Sequence, residues 1–190
     1  MKRIILASAS PRRRELLEQI GLTFEVIPSK CEEVITKTQP GEIVEELSRQ
    51  KAADVAKNVE SGIIIGSDTI VWQDGCVMGK PCDRAAARAM LRQIQGNTHS
   101  VFTGVTLIIK ENGQEICHTF HKETKVHVYP MTEEETERYI DTGEPMDKAG
   151  AYGIQGAFAA YVEGITGDYN SVVGLPVSAL WQVLKQYMLT

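Results

Sequence analysis

Apolar residues along this chain follow two alternating rhythms. Ile4-Ile5-Leu6-Ala7 is a short continuous apolar run, as a buried strand requires, and it ends directly on a Ser-Pro start. From Ser10 the rhythm becomes helical. Leu16, Leu17 and Ile20 share a face, Ser10 suits the N-cap, Pro11 the first helical position, and Gly21 the residue beyond the end. Phe24 to Ile27 reads as a second strand. Ile43, Val44, Leu47 and Val55 mark the apolar side of a helix from about Gly41 to Asn58. Ile63-Ile64-Ile65, Gly66-Ser67-Asp68-Thr69 and Ile70-Val71-Trp72 follow, and Asp74-Gly75 signals a tight turn.

The second half is patterned differently. Asp83 suits the N-cap of an alanine-rich helix ending near Gly96, and His99 to Val128 reads as two long strands joined at Asn112-Gly113. Thr132-Glu133-Glu134-Glu135 is a capping box opening a helix to about Asp141. The glycine-rich stretch from Gly143 to Gly174 is expected to hold one or two strands. A closing helix after Pro176 carries Leu180, Val183, Leu184 and Met188. Early strand–helix alternation and a long central hairpin predict an α/β fold, a mixed β-sheet flanked by helices, with two lobes and an interlobe cleft. No linker or repeat divides the 190 residues, so a single domain over 1–190 is expected.

One helix start breaks an electrostatic rule. A helix N-terminus carries unpaired N–H groups and partial positive charge, which favour acidic residues. Thr132 obeys this with its glutamates, whereas Ser10-Pro11 is followed by Arg12, Arg13 and Arg14. Either the arginines splay into solvent, or an anion sits before them; phosphate suits N–H groups, the Ser8 and Ser10 hydroxyls and guanidinium forks together. The position straight after a buried strand favours the ligand, because α/β sheets gather ligands at such turns. Successive helical residues point about 100° apart, so not all three arginines can face one ligand. Ser8, Ser10 and Arg12 are expected to hold phosphate, Arg13 to stand where phosphate binding meets substrate choice, and Arg14 to be dispensable.

Carboxylates and lysines supply the rest. Asp68 interrupts an otherwise apolar run and needs a partner if buried. It is either part of a Ser-Asp-Thr turn between two short strands or a metal ligand or general base. Glu32 and Glu33 alone are an ordinary solvated pair; set opposite Asp68 they could hold Mg²⁺, which accepts a few carboxylates plus phosphate oxygens. Lys51 continues the Ile43 and Leu47 line, so it either snorkels past the core or reaches a buried anion. Lys80, before Pro81, is fixed in an extended conformation. Gly75 to Lys80 is one residue short of a P-loop and lacks its Ser/Thr. Glycines recur every three residues at Gly150, Gly153 and Gly156, permitting close backbone approach, and Gln155 could read a base edge. His118 and His121 face opposite sides of one strand, which disfavours a zinc site.

Charge and composition narrow the partners. A net charge of −5 argues against a nucleic-acid or membrane-surface binder, so anion binding must rest on a local cluster. The apolar run after Met1-Lys2-Arg3 is too short for a signal peptide, and no run is long enough to span a membrane. Cys31, Cys76, Cys82 and Cys117 form no C-x-x-C pair and read as reduced thiols. A cytoplasmic enzyme is expected.

Five ordered motifs complete the picture: Leu6-Ala7-Ser8-Ala9-Ser10-Pro11-Arg12-Arg13, Ser67-Asp68-Thr69, Gly79-Lys80-Pro81, Asp147 to Gly156, and Val173-Gly174-Leu175-Pro176. Together they resemble the Maf family of nucleoside triphosphate pyrophosphatases, first named as septum-formation inhibitors, over essentially the whole chain. The resemblance implies a fold related to inosine triphosphate pyrophosphatases. It also implies Mg²⁺- or Mn²⁺-dependent cleavage of a nucleoside triphosphate between the α and β phosphates. By motif match Asp68 is the general base, with Glu33, Lys51 and Lys80 at active-site positions. Arg13, Thr69 and Gln155 fall at substrate-choice positions, and Lys148 is placed with them on the substrate side. Asp68, Glu33 and Glu32 are the metal-binding candidates. The Lys148 to Gly156 form resembles the branch acting on dTTP and UTP. A purine or modified-base triphosphate pyrophosphatase and a nucleotide-binding regulator of septum formation are the alternatives, and a homodimer stays open.

Overall fold

The computed structural model describes residues 2–188. Strand β1 (Ile4–Leu6) forms where the chain has only apolar side chains, and all of them are buried. It pairs in parallel with β2 (Glu25–Val26) and β3 (Gly62–Gln73). β2 is shorter than the Phe24–Ile27 run suggests; it is an edge strand whose residues are both exposed, so little burial extends it. The mixed sheet has seven strands in the order β2-β1-β3-β5-β6-β7, with β4 (Cys76–Met78) pairing β3 off that path. β5 (Thr98–Glu111) and β6 (Gln114–Val128) are the predicted hairpin, turned by Asn112 at φ 51° and Gly113 at φ 76°. β7 is Val162–Thr166, antiparallel to β6.

The chain divides into two compact units. The first comprises Met1–Thr69, Thr103–Lys122 and Gly174–Thr190; the second, Ile70–Phe102 and Glu123–Val173. In the first unit, helix α1 (Pro11–Gln19) follows β1, and helix α2 (Pro40–Ala56) covers the sheet. Ala52, Val55 and Ala56 of α2 pack on Ile5, Ala7, Ile64 and Ile108. Two glycines bring α2 this close. A Cβ on Gly66 would lie 2.8 Å from the Ala52 backbone nitrogen and collide with the Ser48 carbonyl, and one on Gly104 would meet the Val44 carbonyl. Helix α6 (Val177–Met188), the predicted closing helix, buries Val177, Leu180 and Leu184.

The second unit contains α3 (Arg84–Ile94), capped by Asp83 through a 2.7 Å bond from Ala86 N, and α4 (Glu133–Asp141), opened by the predicted capping box. The glycine-rich stretch is less regular than expected. It holds 3₁₀ turns at Glu144–Asp147, Ala149–Ala151 and Ala157–Tyr161, one strand and a short helix α5 (Tyr169–Val173). Fully buried Phe158 centres this unit, with the rings of Tyr152, Tyr139 and Tyr161 at 4.7, 5.1 and 5.7 Å. No described helix is long and apolar enough to cross a membrane.

Candidate active site

The Ser67-Asp68-Thr69 motif does not turn. β3 runs unbroken from Gly62 to Gln73, so Gly66 and Asp68 face one side of the strand and Ser67 and Thr69 the other. On the Gly66 side lies α2. The close approach that Gly66 permits brings Lys51 of that helix onto Asp68, with Nζ 2.5 Å from Oδ1. The same ammonium lies 2.9 Å from Glu33 Oε1, in the loop before α2. Lys51 therefore leaves the apolar stripe of α2 for a buried anion. Asp68 is only 9% exposed, and a carboxylate at that depth without a counter-charge would be costly. Both glutamates are exposed, and Glu33, not its neighbour Glu32, meets Lys51.

The opposite side of β3 meets α1. Ser10 caps the helix, its Oγ accepting from Arg13 N at 3.5 Å, and the chain then carries Arg13 inward. The Arg13 guanidinium donates to the Gly174 carbonyl at 2.8 Å, to Ser8 Oγ at 3.1 Å and to Thr69 Oγ1 at 3.2 Å. Ser8 Oγ also accepts from Ser10 N at 3.2 Å, and Thr69 Oγ1 shares a 2.8 Å bond with Thr103 Oγ1. Ser67 Oγ donates to the same Gly174 carbonyl at 3.1 Å. Gly174 presents that carbonyl from φ +133°, a conformation side chains resist. Burial pulls the Arg13 pKa below its ordinary value; the charges of Asp68 and Glu33 oppose the shift, and that of Arg12 adds to it. An arginine remains cationic even so.

The three arginines thus separate as helix geometry requires. Arg13 has each of its three guanidinium nitrogens bonded to a protein partner. Arg14 turns outward to Glu18 at 2.8 Å, four residues on. Arg12 is half-buried, and among the described residues its guanidinium has no hydrogen bond or ion pair.

In the first unit the chain therefore assembles Ser8, Ser10, Arg13, Glu33, Lys51, Asp68 and Thr69 into bonded clusters. Arg12 and Glu32 also lie in the first unit, whereas Lys80, Lys148 and Gln155 belong to the second. Lys80 is exposed. Lys148 Nζ donates to the Glu144 carbonyl at 2.9 Å and to Asp147 Oδ1 at 2.7 Å. Gln155 is exposed on a turn closed by a 3.1 Å bond from Gly156 N to the Gly153 carbonyl. Sequence reasoning passed over Thr103 and gave the Gly174 carbonyl no role. Glycine before Leu-Pro at a helix start was the available signal for the second; nothing marked Thr103.

Comparison with known proteins finds relatives along nearly the whole chain. The family model described as Maf-like protein matches residues 3–187. A dTTP/UTP pyrophosphatase of Agathobacter rectalis is 52% identical over 98% of this chain and 98% of its own length. Those of Lachnoclostridium phytofermentans and Bacillus cytotoxicus are each 50% identical over 98% of this chain and 96% of theirs. Among solved structures, the Staphylococcus aureus Ham1 protein aligns at a TM-score of 0.43 and 14% identity, covering 79% of this chain and 85% of that one. With the family model spanning nearly all of it, the chain belongs to the Maf-like protein family.

Proposed function

We propose that this chain hydrolyses dTTP and UTP to the nucleoside monophosphate and pyrophosphate, clearing unwanted triphosphates from the nucleotide pool. One observation carries the reading: Lys51 is held between Asp68 and Glu33 in the unit that also turns Arg13 inward onto Ser8, Thr69 and Gly174. Carboxylates on β3 and in the loop before α2, set among cations from α1 and α2, suit a triphosphate and its counter-ion. Relatives 50–52% identical over nearly the full chain carry the name dTTP/UTP pyrophosphatase, which supports the substrate.

The residues divide the work as follows. Arg12, whose donors are unclaimed, grips phosphate oxygens with Ser8 and Ser10. Arg13 acts as a fixed charge that holds Ser8 and Thr69 in place. Lys51 and Lys80 neutralise charge that builds on the departing pyrophosphate. The Asp68 carboxylate oxygen not bonded to Lys51 takes the proton of the water that attacks the α-phosphorus. Thr69, Lys148 and Gln155 face the nucleoside. A divalent ion fits the carboxylates of the first unit: Asp68 and Glu33 already share a cation, and Glu32 adjoins Glu33 in the chain. No cluster of three or more ligand side chains exists among the described residues, so phosphate oxygens and water would complete the shell. Bound there, Mg²⁺ or Mn²⁺ would screen the triphosphate and acidify a bound water.

The test is pyrophosphate release from dTTP, UTP, CTP, ITP and 7-methyl-GTP, with the products identified. Monophosphate and pyrophosphate from dTTP and UTP at the highest kcat/KM is the expected result. A clear preference for ITP or 7-methyl-GTP would overturn the substrate, and no turnover of any triphosphate would overturn the reaction.

A further inference from the structure

Gln155 is the exposed member of a tight turn whose other central residue, Ile154, is tucked inward at 8% exposure. An exposed glutamine on a glycine-bounded turn has many conformations unless something holds the turn. The second unit supplies such a hold from outside the motif. Gly153 N, at the entry of the turn, donates to Tyr139 Oη at 3.3 Å. Tyr139 Oη donates to Glu144 Oε1 at 2.9 Å. Glu144 Oε2 accepts from Ala157 N, just past the turn, at 2.9 Å. One phenol and one carboxylate thus tie together both ends of Gly153-Ile154-Gln155-Gly156.

The glycine spacing records the same clamp. A Cβ on Gly156 would overlap the Glu144 carboxylate, and one on Gly153 would lie 2.7 Å from Lys148 Cε. Those glycines are small because Glu144 and Lys148 occupy the space a side chain would need. Lys148 in turn is anchored to the Glu144 carbonyl. Burial, then the bond to Glu144, pushes the Tyr139 phenol above its ordinary pKa, so it stays a neutral donor at physiological pH.

We infer that Tyr139 and Glu144 are positioning residues for nucleobase selection, clamping the Gly153–Gly156 turn so that Gln155 is presented in one orientation. The inference rests on the reading that Gln155 faces the base. A clamp on the base side acts on binding and discrimination more than on the chemical step. Tyr139→Phe removes one oxygen, and with it two links of the clamp, from a core that keeps its ring. Glu144→Gln replaces an acceptor with a donor opposite Tyr139 or Ala157 N–H.

The experiment measures kcat and KM for dTTP and ITP in the wild type, Tyr139→Phe, Glu144→Gln, the double variant and Gln155→Ala, with melting temperatures alongside. In Tyr139→Phe, KM for dTTP should rise about tenfold, the scale of losing a hydrogen bond to a charged group. kcat should stay within about threefold, and discrimination against ITP should shrink as it does in Gln155→Ala. The double variant should be little worse than either single one, since all act through one clamp. If Gln155→Ala changes KM and discrimination but Tyr139→Phe changes only the melting temperature, the clamp is merely structural and the inference is overturned. If Gln155→Ala changes neither, the base-facing reading itself fails, and the inference with it. Should Glu144→Gln not fold, Tyr139→Phe decides alone.

Discussion

The two units of this protein treat ionisable side chains in opposite ways. Beside its surface pairs, the first draws charged groups into half-buried clusters: Arg13 among carbonyl and hydroxyl acceptors, Lys51 between buried Asp68 and the more exposed Glu33. The second keeps its salt bridges outside. Arg84, Arg88 and Arg92 on α3 meet Asp141, Glu137 and Glu133 on α4, each set spaced every four residues, as a ladder between antiparallel helices. There the Arg88 fork holds the Glu137 carboxyl down to about 2, on an open surface. The deeply buried ionisable groups of the second unit are instead held neutral. Burial lowers His99 to about 4 and raises Tyr152 above the ordinary phenol range. A solvated ladder adds little to stability and orders two helices. Buried opposite charges are a poor way to gain stability and a good way to hold a charged ligand, so the difference separates chemistry from scaffolding.

That separation can be broken in a graded series. The largest effect is expected from Asp68→Asn, which keeps the shape of the side chain and removes its basicity. Pyrophosphate release from dTTP should fall by about 10²–10⁴-fold, the range for losing a general base, with circular dichroism unchanged.

The next concerns His99, whose Nε2 shares a 2.6 Å bond with Tyr152 Oη while its buried Nδ1 has no partner among the described residues. A folded pKa of about 4 against an ordinary 6.5 means that the unfolded chain takes up the proton first on acidification. Stability is then complete above pH 6.5 and declines as pH falls toward 4, by on the order of 3 kcal/mol. Denaturant titrations at pH 7 and pH 4.5 should show this loss in the wild type and a smaller one in His99→Gln.

The smallest concerns the arginines. Arg13→Lys keeps the charge, but one ammonium nitrogen cannot stand in for the three nitrogens of the planar fork that meet Gly174, Ser8 and Thr69, so the variant should lower kcat/KM about tenfold. Arg14→Ala, which removes only the exposed pair with Glu18, should leave it within about twofold. The reverse order would mean that the wrong arginine has been placed inside.

Much of the scaffold was legible in sequence because its causes are local. The Ser10-Pro11 start, the Thr132 capping box and the Asn112-Gly113 hairpin each need only neighbours a few residues away, and each forms. The irregular turns from Glu144 to Tyr161 were not legible, since glycines permit such geometry without specifying it. At the site, sequence identified the charged residues but not their partnerships. Asp68 read either as part of a turn or as a ligand or base, and the continuous β3, with α2 pressed onto Gly66, excludes the turn. Helix geometry said that the arginines must diverge. Which one goes inward depends on the Gly174 carbonyl, 161 residues away.

The most direct test removes one cation from each unit. Lys51→Met and Arg88→Met both take a positive charge from beside carboxylates and leave an apolar stem of similar length. Pyrophosphate release from dTTP by the two folded variants, measured side by side, should fall at least about a hundredfold for Lys51→Met and stay within about twofold of wild type for Arg88→Met. Equal activity in the two variants, or a greater loss for Arg88→Met, would contradict the assignment of catalysis to the buried charges of the first unit.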